Sequence, residues 1–562
     1  MRSPRLALLA FAALFGTGAG DYGPDPADGT SSFVGTGAFG DYLQGRFAAQ
    51  EADLSVAADR LEAVLTLEPG VPDVATQAFI ASVLAGRPDA VRMAASLPDN
   101  PVARLLLSNW EAKAGRWRNA AHGFDTLPGG SSMVRALQPL LVAWAQLGDD
   151  RPGDAVTTLQ TAMATGQNRP VLILHQALVT DLAGRAEEAG RLYRAARSEY
   201  GGLNLRLGQI LASWAARTGD LAGAEAIDAG LAAADGELAM VHAGGAGTGP
   251  AVRNPADGLA EVYLAMAGAV RQQNAPDLAQ VLLRLALDMR PDFTPARLLL
   301  AEIQEGAKQS EGALETLAAV DEADPLAPVV VLRRAALQDA LDQGGAAVSA
   351  LEALAAQHPD RPEPLAVLGD ILRRRNRMTE AVPAYDRAVA RVATPSRANW
   401  ALFYERGIAL ERAGQWPRAE ADFLFALELS PDQPGVLNYL GYAWADQHRN
   451  LDRARTMIER AVQLRPEDGS YIDSLGWVML LQGDLPGALR NLERAVSLMP
   501  EDSTINAHLG DALFAAGRKR EAGFQWRRAL NLQPEPAESE RIQAKLRDVQ
   551  DGPDAGTPPT VP

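Results

Sequence analysis

Residues able to do chemistry are sparse in this chain and lie far from one another. Its six histidines are widely separated, it contains no cysteine, and no His-Glu-x-x-His metal motif occurs. A Gly-x-x-x-x-Gly-Lys phosphate loop and a Gly-x-Ser-x-Gly nucleophile elbow are also missing. Paired acids such as Asp149 and Asp150 would point about 100° apart on a helix, so they do not face one shared site. The sequence therefore predicts a protein that is not an enzyme and holds no cofactor or metal.

The charge balance argues against a nucleic-acid partner. The chain has 562 residues, with 53 Lys and Arg against 70 Asp and Glu, which gives a net charge of −17. Its basic residues are spread along the sequence rather than gathered in a patch, so the overall field repels a polyanion. The absence of cysteine excludes disulfides and a cysteine-linked lipid anchor. No window of the sequence is long and apolar enough to predict a transmembrane segment.

The N-terminus has the three parts of an export signal. Arg2 and Arg5 precede an apolar run from Leu6 to Phe15, and small residues follow from Gly16 to Gly20. The run is far shorter than the roughly 20 residues that a membrane-spanning helix needs. We therefore expect a cleaved signal peptide over residues 1–19 and a periplasmic protein, either soluble or peripheral to a membrane.

The elements that position the remaining residues follow from an internal repeat. Four similar segments end at prolines 35, 34 and 34 residues apart, namely Pro431, Pro466, Pro500 and Pro534. Small residues recur in register within each repeat: Gly407, Gly441, Gly476 and Gly510, then Ala419, Ala454, Ala488 and Ala522, then Ala426, Ala461, Ala495 and Ala529. Antiparallel helices approach to about 8–10 Å where the crossing points carry such small residues. One large residue per repeat should fill the space between helices: Phe423, Ile458, Leu492 or Trp526.

The same register extends toward the N-terminus with weaker consensus, and it divides the chain into segments. Pro291, Pro325 and Pro359 are again 34 residues apart, and a further copy lies between Pro359 and Pro431, which gives eight repeats; about six degenerate copies precede them. We expect the C-terminal part from residue 259 to fold alone, because a repeat array is stabilised by neighbouring repeats. The predicted segments are a signal peptide (1–19), a flexible linker (20–37), a degenerate array (38–235), a Gly/Pro-rich hinge or loop (236–259), a regular array (260–536), a cap helix (537–550) and a disordered tail (551–562).

These residues resemble the tetratricopeptide repeat superfamily. The likeness rests on Gly476, Ala488, Ala495, Pro500 and their copies, and it covers most of residues 38–536. It implies an all-α fold, a right-handed α-solenoid of helix-turn-helix repeats that binds a protein or peptide partner.

A narrower resemblance rests on two strings, YIDSLGW from Tyr471 and NAHLGD from Asn506. They are similar to the C-terminal repeats of long bacterial envelope tetratricopeptide proteins. Some of those are outer-membrane lipoproteins that tether a carboxy-terminal processing protease to its substrates. The present chain lacks their lipidated cysteine. The resemblance implies an adaptor whose partner is an envelope protease or an assembly factor.

The family's fold also implies where a partner binds. The first helix of each repeat lines the concave face, through its second, fifth, ninth and twelfth positions, and the recurring glycine marks the eighth. The candidates that follow from this register, with His508 at the edge of the face, are Tyr404, Asn438, Tyr442, Asp473, Trp477, His508, Asp511 and Phe514. Aromatic rings interleaved with Asp favour an extended peptide with apolar and basic side chains. Alternatively, Trp477 and Tyr442 simply pack between repeats.

The leading functional hypothesis is a non-enzymatic protein-interaction scaffold or adaptor of the bacterial cell envelope, which holds a client on the concave surface. Two alternatives belong to other classes. One is a structural protein that organises the envelope by self-assembly, and the other is a cytoplasmic regulatory scaffold whose N-terminal segment is not an export signal.

Overall fold

The computed structural model describes residues 36–128, 130–165, 168–234, 236–241 and 249–550. Within these ranges the chain forms 29 α-helices and no β-strand, so the all-α repeat fold expected from the sequence is confirmed. Three predicted segments lie outside the described residues wholly or almost wholly: the signal peptide (1–19), the linker (20–37, of which only the last two residues are described) and the tail (551–562). The described residues fall into two compact units, divided between Gln357 and His358.

The first unit contains 18 α-helices, most of which form antiparallel pairs of consecutive helices. They are α1 (Thr36–Gln50), α2 (Leu54–Leu67), α3 (Pro72–Leu84), α4 (Ala90–Ala94), α5 (Pro101–Lys113), α6 (Trp117–Asp125), α7 (Ser132–Gly148), α8 (Pro152–Met163), α9 (Arg169–Leu182), α10 (Ala186–Tyr200), α11 (Leu205–Arg217), α12 (Leu221–Ala234), α13 (Pro255–Gln272), α14 (Pro276–Met289), α15 (Thr294–Gly306), α16 (Ser310–Ala318), α17 (Ala327–Ala340) and α18 (Gly344–Gln357). A short 3₁₀ helix, Gly236–Met240, follows α12.

Helices α13 and α14 pack against helices that are distant in sequence. Gly258 lies so close to the buried Trp144 that a Cβ at position 258 would overlap the indole ring. The Tyr263 hydroxyl donates a hydrogen bond to Asn109 Oδ1 at 2.8 Å, and both residues are fully buried. One hydrophobic core accordingly runs from Phe79 to Ile303.

The described part of the expected hinge or loop (236–259) is held by hydrogen bonds from α11. Ser213 Oγ donates to the Gly249 carbonyl at 3.0 Å, Arg206 Nη2 donates to the Ala251 carbonyl at 2.9 Å, and Val252 is buried. The rest of the segment, residues 242–248, lies outside the described residues. Because α13 and α14 share a core with the preceding helices, the compact units divide at residue 358, well after the expected hinge.

The second unit contains five helix pairs and a final helix. They are α19 (Glu363–Arg374), α20 (Met378–Ala390), α21 (Trp400–Arg412), α22 (Trp416–Leu429), α23 (Pro434–Asp446), α24 (Leu451–Leu464), α25 (Gly469–Leu481), α26 (Leu485–Leu498), α27 (Ser503–Ala515), α28 (Lys519–Asn531) and α29 (Pro536–Gln550). The side chain of Asp468 caps α25 by accepting a hydrogen bond from the Ser470 amide at 3.1 Å, as Asp502 caps α27 at the Ile505 amide, at 3.0 Å. Acidic residues after the repeat prolines thus start the next helix.

Small residues make the crossing within each pair of the second unit. A Cβ on Gly407 would lie 2.6 Å from the Phe423 ring, and one on Gly476 would lie 2.6 Å from Leu492 Cγ. Gly441 meets Ile458 in the same way. All of the partner side chains are fully buried. The predicted role of glycine at these crossings is therefore confirmed, because no larger residue fits without displacing its partner.

Candidate functional site

The first helices of the repeat pairs form one continuous face of the second unit. Helix α23 contacts α25, and α25 contacts α27, so their side chains point to a common side. Side chains from helices two repeats apart also meet there: the hydroxyl oxygens of Tyr404 and Tyr471 each lie 3.8 Å from the point that a Cβ on Gly435 would occupy. We call this side of helices α21, α23, α25 and α27 the inner face.

Four of the predicted site residues pack together on the inner face. The Trp477 ring stacks on His508, with 4.3 Å between ring centroids and 17° between planes. Tyr442 approaches the same imidazole at 6.3 Å. His508 Nδ1 lies 2.9 Å from an Asp473 carboxylate oxygen, and both residues are buried. We call Tyr442, Asp473, Trp477 and His508 the inner cluster, and it joins helices α23, α25 and α27.

The inner cluster favours a protonated imidazole. Burial by itself lowers the pKa of His508, but the neighbouring Asp473 carboxylate, with further contributions from Asp511 and Glu538, raises that pKa above its ordinary value. Burial raises the pKa of the Tyr442 hydroxyl, with a smaller contribution from Asp446, so Tyr442 stays neutral. The cluster therefore contains a charge-assisted His508–Asp473 pair between two aromatic rings.

Asp511, predicted to face a partner, is engaged by groups of its own chain. Lys545 Nζ in α29 lies 2.7 Å and 2.8 Å from the two carboxylate oxygens of Asp511. The indole nitrogen of Trp526 also donates to Asp511, at 3.0 Å. Helix α29 further buries Ile542 completely, as expected of a terminal cap. Phe514, one turn beyond Asp511, keeps 42% of its surface exposed.

Two polar atoms on the inner face lack a hydrogen-bond partner within the described part of the chain. Trp477 Nε1 and Asn438 Oδ1 are both buried from solvent, and no described residue pairs with either atom. An indole N–H is a donor, and an amide oxygen is an acceptor. Burying such atoms unpaired costs roughly 1–3 kcal/mol each. A ligand that supplied one acceptor and one donor would remove this cost.

Aromatic residues extend the inner face beyond the predicted set. Tyr404 lies 6.0 Å from Tyr439 and 6.0 Å from Phe423, measured between ring centroids. The Tyr439 hydroxyl donates to Glu411 at 3.3 Å, and burial raises its pKa to about 12. Sequence reasoning missed Tyr439 and Tyr471 because it counted the second, fifth, ninth and twelfth helix positions. These tyrosines stand at the sixth and third positions.

Among residues 36–550, apart from the gaps given above, no helix combines the length and apolar character needed to cross a bilayer. The same residues contain no group of three or more His, Asp or Glu side chains arranged to hold a metal ion.

Family comparison identifies the repeats. Residues 270–335 and 479–546 match one family model described as tetratricopeptide repeat, and residues 333–398 and 404–469 match a second with the same description. These stretches of the chain therefore contain tetratricopeptide repeats, as predicted from the glycine, alanine and proline register. Proteins built from these repeats act as protein-interaction scaffolds and are typically not enzymes.

Individual relatives are similar over limited stretches. A TPR repeat-containing protein of Pseudomonas aeruginosa is 36% identical over 91 residues, which is 16% of this chain and 15% of that protein. The crystal structure of a tetratricopeptide repeat protein from Parabacteroides merdae covers 45% of this chain and 98% of its own, at 15% identity and a TM-score of 0.36. MamA from Desulfovibrio magneticus covers 31% of this chain and 94% of its own, at 20% identity and a TM-score of 0.27.

Proposed function

We propose that this protein is an adaptor of the bacterial cell envelope that holds an extended segment of a partner protein on the inner face of its second unit. The observation that carries the proposal is the pair of buried, unpartnered atoms there, Trp477 Nε1 and Asn438 Oδ1. The backbone of an extended peptide presents both a carbonyl acceptor and an N–H donor. An extended segment on this face thus offers both kinds of partner that the two atoms lack.

Aromatic rings on the inner face supply the apolar part of the recognition. Tyr404, Tyr442 and Trp477 are half-buried, and Phe514 is exposed, so each retains surface for a ligand. Such flat side chains combine large contact area with little conformational entropy to lose on binding. The packing of Trp477 and Tyr442 on His508 fixes their orientation, which lowers the ordering cost of capturing a flexible chain.

The acids of the inner face have a smaller role than the sequence indicated. Asp473 is paired with His508 and Asp511 with Lys545, so a basic partner side chain would have to displace a group that is already bound. We accordingly assign recognition to the partner's main chain and apolar side chains.

A conservative substitution tests this assignment. Trp477→Phe keeps an aromatic ring on His508 but removes the indole donor, and Trp416→Phe is its control, because Trp416 Nε1 is also buried and unpaired but lies in α22, a second helix of its repeat pair. The partner is first captured by crosslinking in intact envelopes, and its binding segment is then titrated against each variant. We expect Trp477→Phe to weaken binding about fivefold or more, in line with the loss of one hydrogen bond of roughly 1 kcal/mol, and Trp416→Phe to leave binding unchanged. Equal affinities would place the binding segment elsewhere.

Location in the envelope is the second half of the proposal, and it is supported by the charged, apolar and small-residue order of residues 1–20. The partner would be an envelope protease or assembly factor. Fractionation and N-terminal sequencing of the native protein test this half separately. We expect a periplasmic protein that begins near Gly20, whereas a full-length cytoplasmic chain beginning at Met1 would contradict it.

A further inference from the structure

The first unit contains a large, half-open cavity with a mostly apolar wall that the proposed function does not use. Its volume is about 820 Å³, and five helices, α9, α11, α13, α15 and α17, supply most of its wall. Representative wall residues are Leu174, Leu178, Ile210, Leu264, Leu298 and Leu337. A volume of this size is typical of small-molecule sites.

Small residues along α13 keep this space open. Ala265, Gly268 and Ala269 all face the cavity. Gly268 lies in the helix interior, has no left-handed backbone angle, and would have no atom within 4 Å of an added Cβ. Glycine at an interior helix position costs about 0.5–1 kcal/mol relative to alanine. No contact within the described part of the protein requires glycine here, and its effect is to widen the cavity.

The buried polar groups of the cavity wall are paired within the chain. Arg206 forms two hydrogen bonds with Glu261, at 2.9 Å and 3.0 Å, and Arg271 pairs with Glu302 at the exposed rim. His175 accepts a hydrogen bond from Trp144, and burial lowers its pKa to about 3, so its ring is neutral. Among the described residues, none of the buried polar side-chain atoms without a partner belongs to the cavity lining.

The mostly apolar wall and its paired polar groups together indicate the chemical class of ligand. A peptide segment would bring N–H and C=O groups that the apolar majority of the wall cannot pair, and each buried unpaired group is costly. A charged headgroup would find the lining arginines Arg206 and Arg271 already paired with carboxylates. We propose that the cavity binds an unbranched hydrocarbon chain of the fatty acyl class, with the polar end of the ligand held at the solvent-exposed rim. This inference concerns the first unit and is independent of peptide binding on the inner face.

The test is a titration of the full chain with palmitate. Saturable binding is read as the loss of fluorescence when palmitate displaces the apolar probe N-phenyl-1-naphthylamine. The cavity is filled by Gly268→Leu. Gly306→Leu is the matched control, because Gly306 is also helical and has open space at its Cβ but does not line the cavity. We expect wild type and Gly306→Leu to bind one palmitate with equal affinity, and Gly268→Leu to bind at least tenfold more weakly.

Other outcomes are equally decisive. Absence of saturable palmitate binding to the wild type, or equal binding by Gly268→Leu, would overturn the proposal. If Gly268→Leu does not fold by circular dichroism, Ala265→Leu replaces it and the same criterion applies. A second titration with an N-palmitoyl tripeptide separates two sources of the chain: binding of palmitate alone indicates a free fatty acid, and binding of both indicates acyl groups carried on protein.

Discussion

The glycine crossings of the second unit can be tested by a double-mutant cycle at Gly407 and Phe423. A methyl group at position 407 would lie 2.6 Å from Phe423 Cε1, and the three nearest atoms all belong to that ring. Overpacking of this kind costs roughly 1–3 kcal/mol, partly offset by about 0.5–1 kcal/mol from the better helix propensity of alanine. We therefore expect Gly407→Ala to destabilise the α21–α22 pair by about 1–2 kcal/mol.

The second arm of the cycle removes the ring. Phe423→Ala leaves a cavity and should cost about 3–5 kcal/mol, since Phe423 is fully buried. In that background the added methyl has room, so Gly407→Ala should become neutral or stabilising, and the two substitutions should couple by roughly 1–3 kcal/mol. Gly435→Ala is the matched control, because its nearest neighbours are hydroxyl oxygens at 3.8 Å, an ordinary contact distance.

Urea-dependent hydrogen exchange, read by mass spectrometry on peptides from residues 400–429 of the full chain, measures these local stabilities. The reasoning is refuted if Gly407→Ala and Gly435→Ala have the same effect, or if the cost of Gly407→Ala persists without the Phe423 ring.

Three further predictions follow from the described contacts. A fragment of residues 358–562 should melt cooperatively by circular dichroism. One beginning at residue 259, which the repeat pattern alone predicts to fold, should instead aggregate, because it exposes the α13 surface where Tyr263 packs on Asn109; a soluble, cooperative longer fragment would contradict this. His508 has a raised pKa in the folded protein, so its contribution to stability is complete below its unfolded pKa of about 6.5 and is lost as pH rises through the folded value. Melting temperatures should therefore fall above pH 6.5 in the wild type and change less in Asp473→Asn, and parallel curves would refute the pairing. Lys545→Met should lower the free energy of local opening of α29 by about 0.5–1 kcal/mol, the range for a partly exposed ion pair, and hydrogen exchange in that helix should become faster. Arg547→Met, at an exposed position of the same helix, should leave the exchange unchanged.

Much of the fold was predictable because repeat packing is local and periodic. Gly441 and Ile458 belong to one helix pair, so a single repeat of the sequence contains both partners of the contact. The contact of Gly258 with Trp144, by comparison, joins positions far apart in the chain and follows no period. For this reason the sequence pattern predicted a hinge or loop over residues 236–259, and it did not predict that the compact units divide after Gln357.

The candidate site was predictable as a set of positions but not as a set of contacts. Register counting found Tyr442, Asp473 and Trp477, and the structure brings them together around His508. Counting did not reveal that Lys545 engages Asp511, because that contact depends on how α29 closes the array. The cavity of the first unit was also invisible to it, because a cavity is defined by the space between several helices.

Site-directed photo-crosslinking tests the central claim most directly. Benzoylphenylalanine replaces either Phe514, which is 42% exposed on the inner-face helix α27, or Phe524, which is 60% exposed on the second helix α28 of the same pair. Irradiation in intact envelopes should crosslink one partner segment to position 514 and not to position 524, and Trp477→Phe should reduce the yield. Capture of the same segment at both positions, or only at position 524, would contradict the assignment of the partner to the inner face.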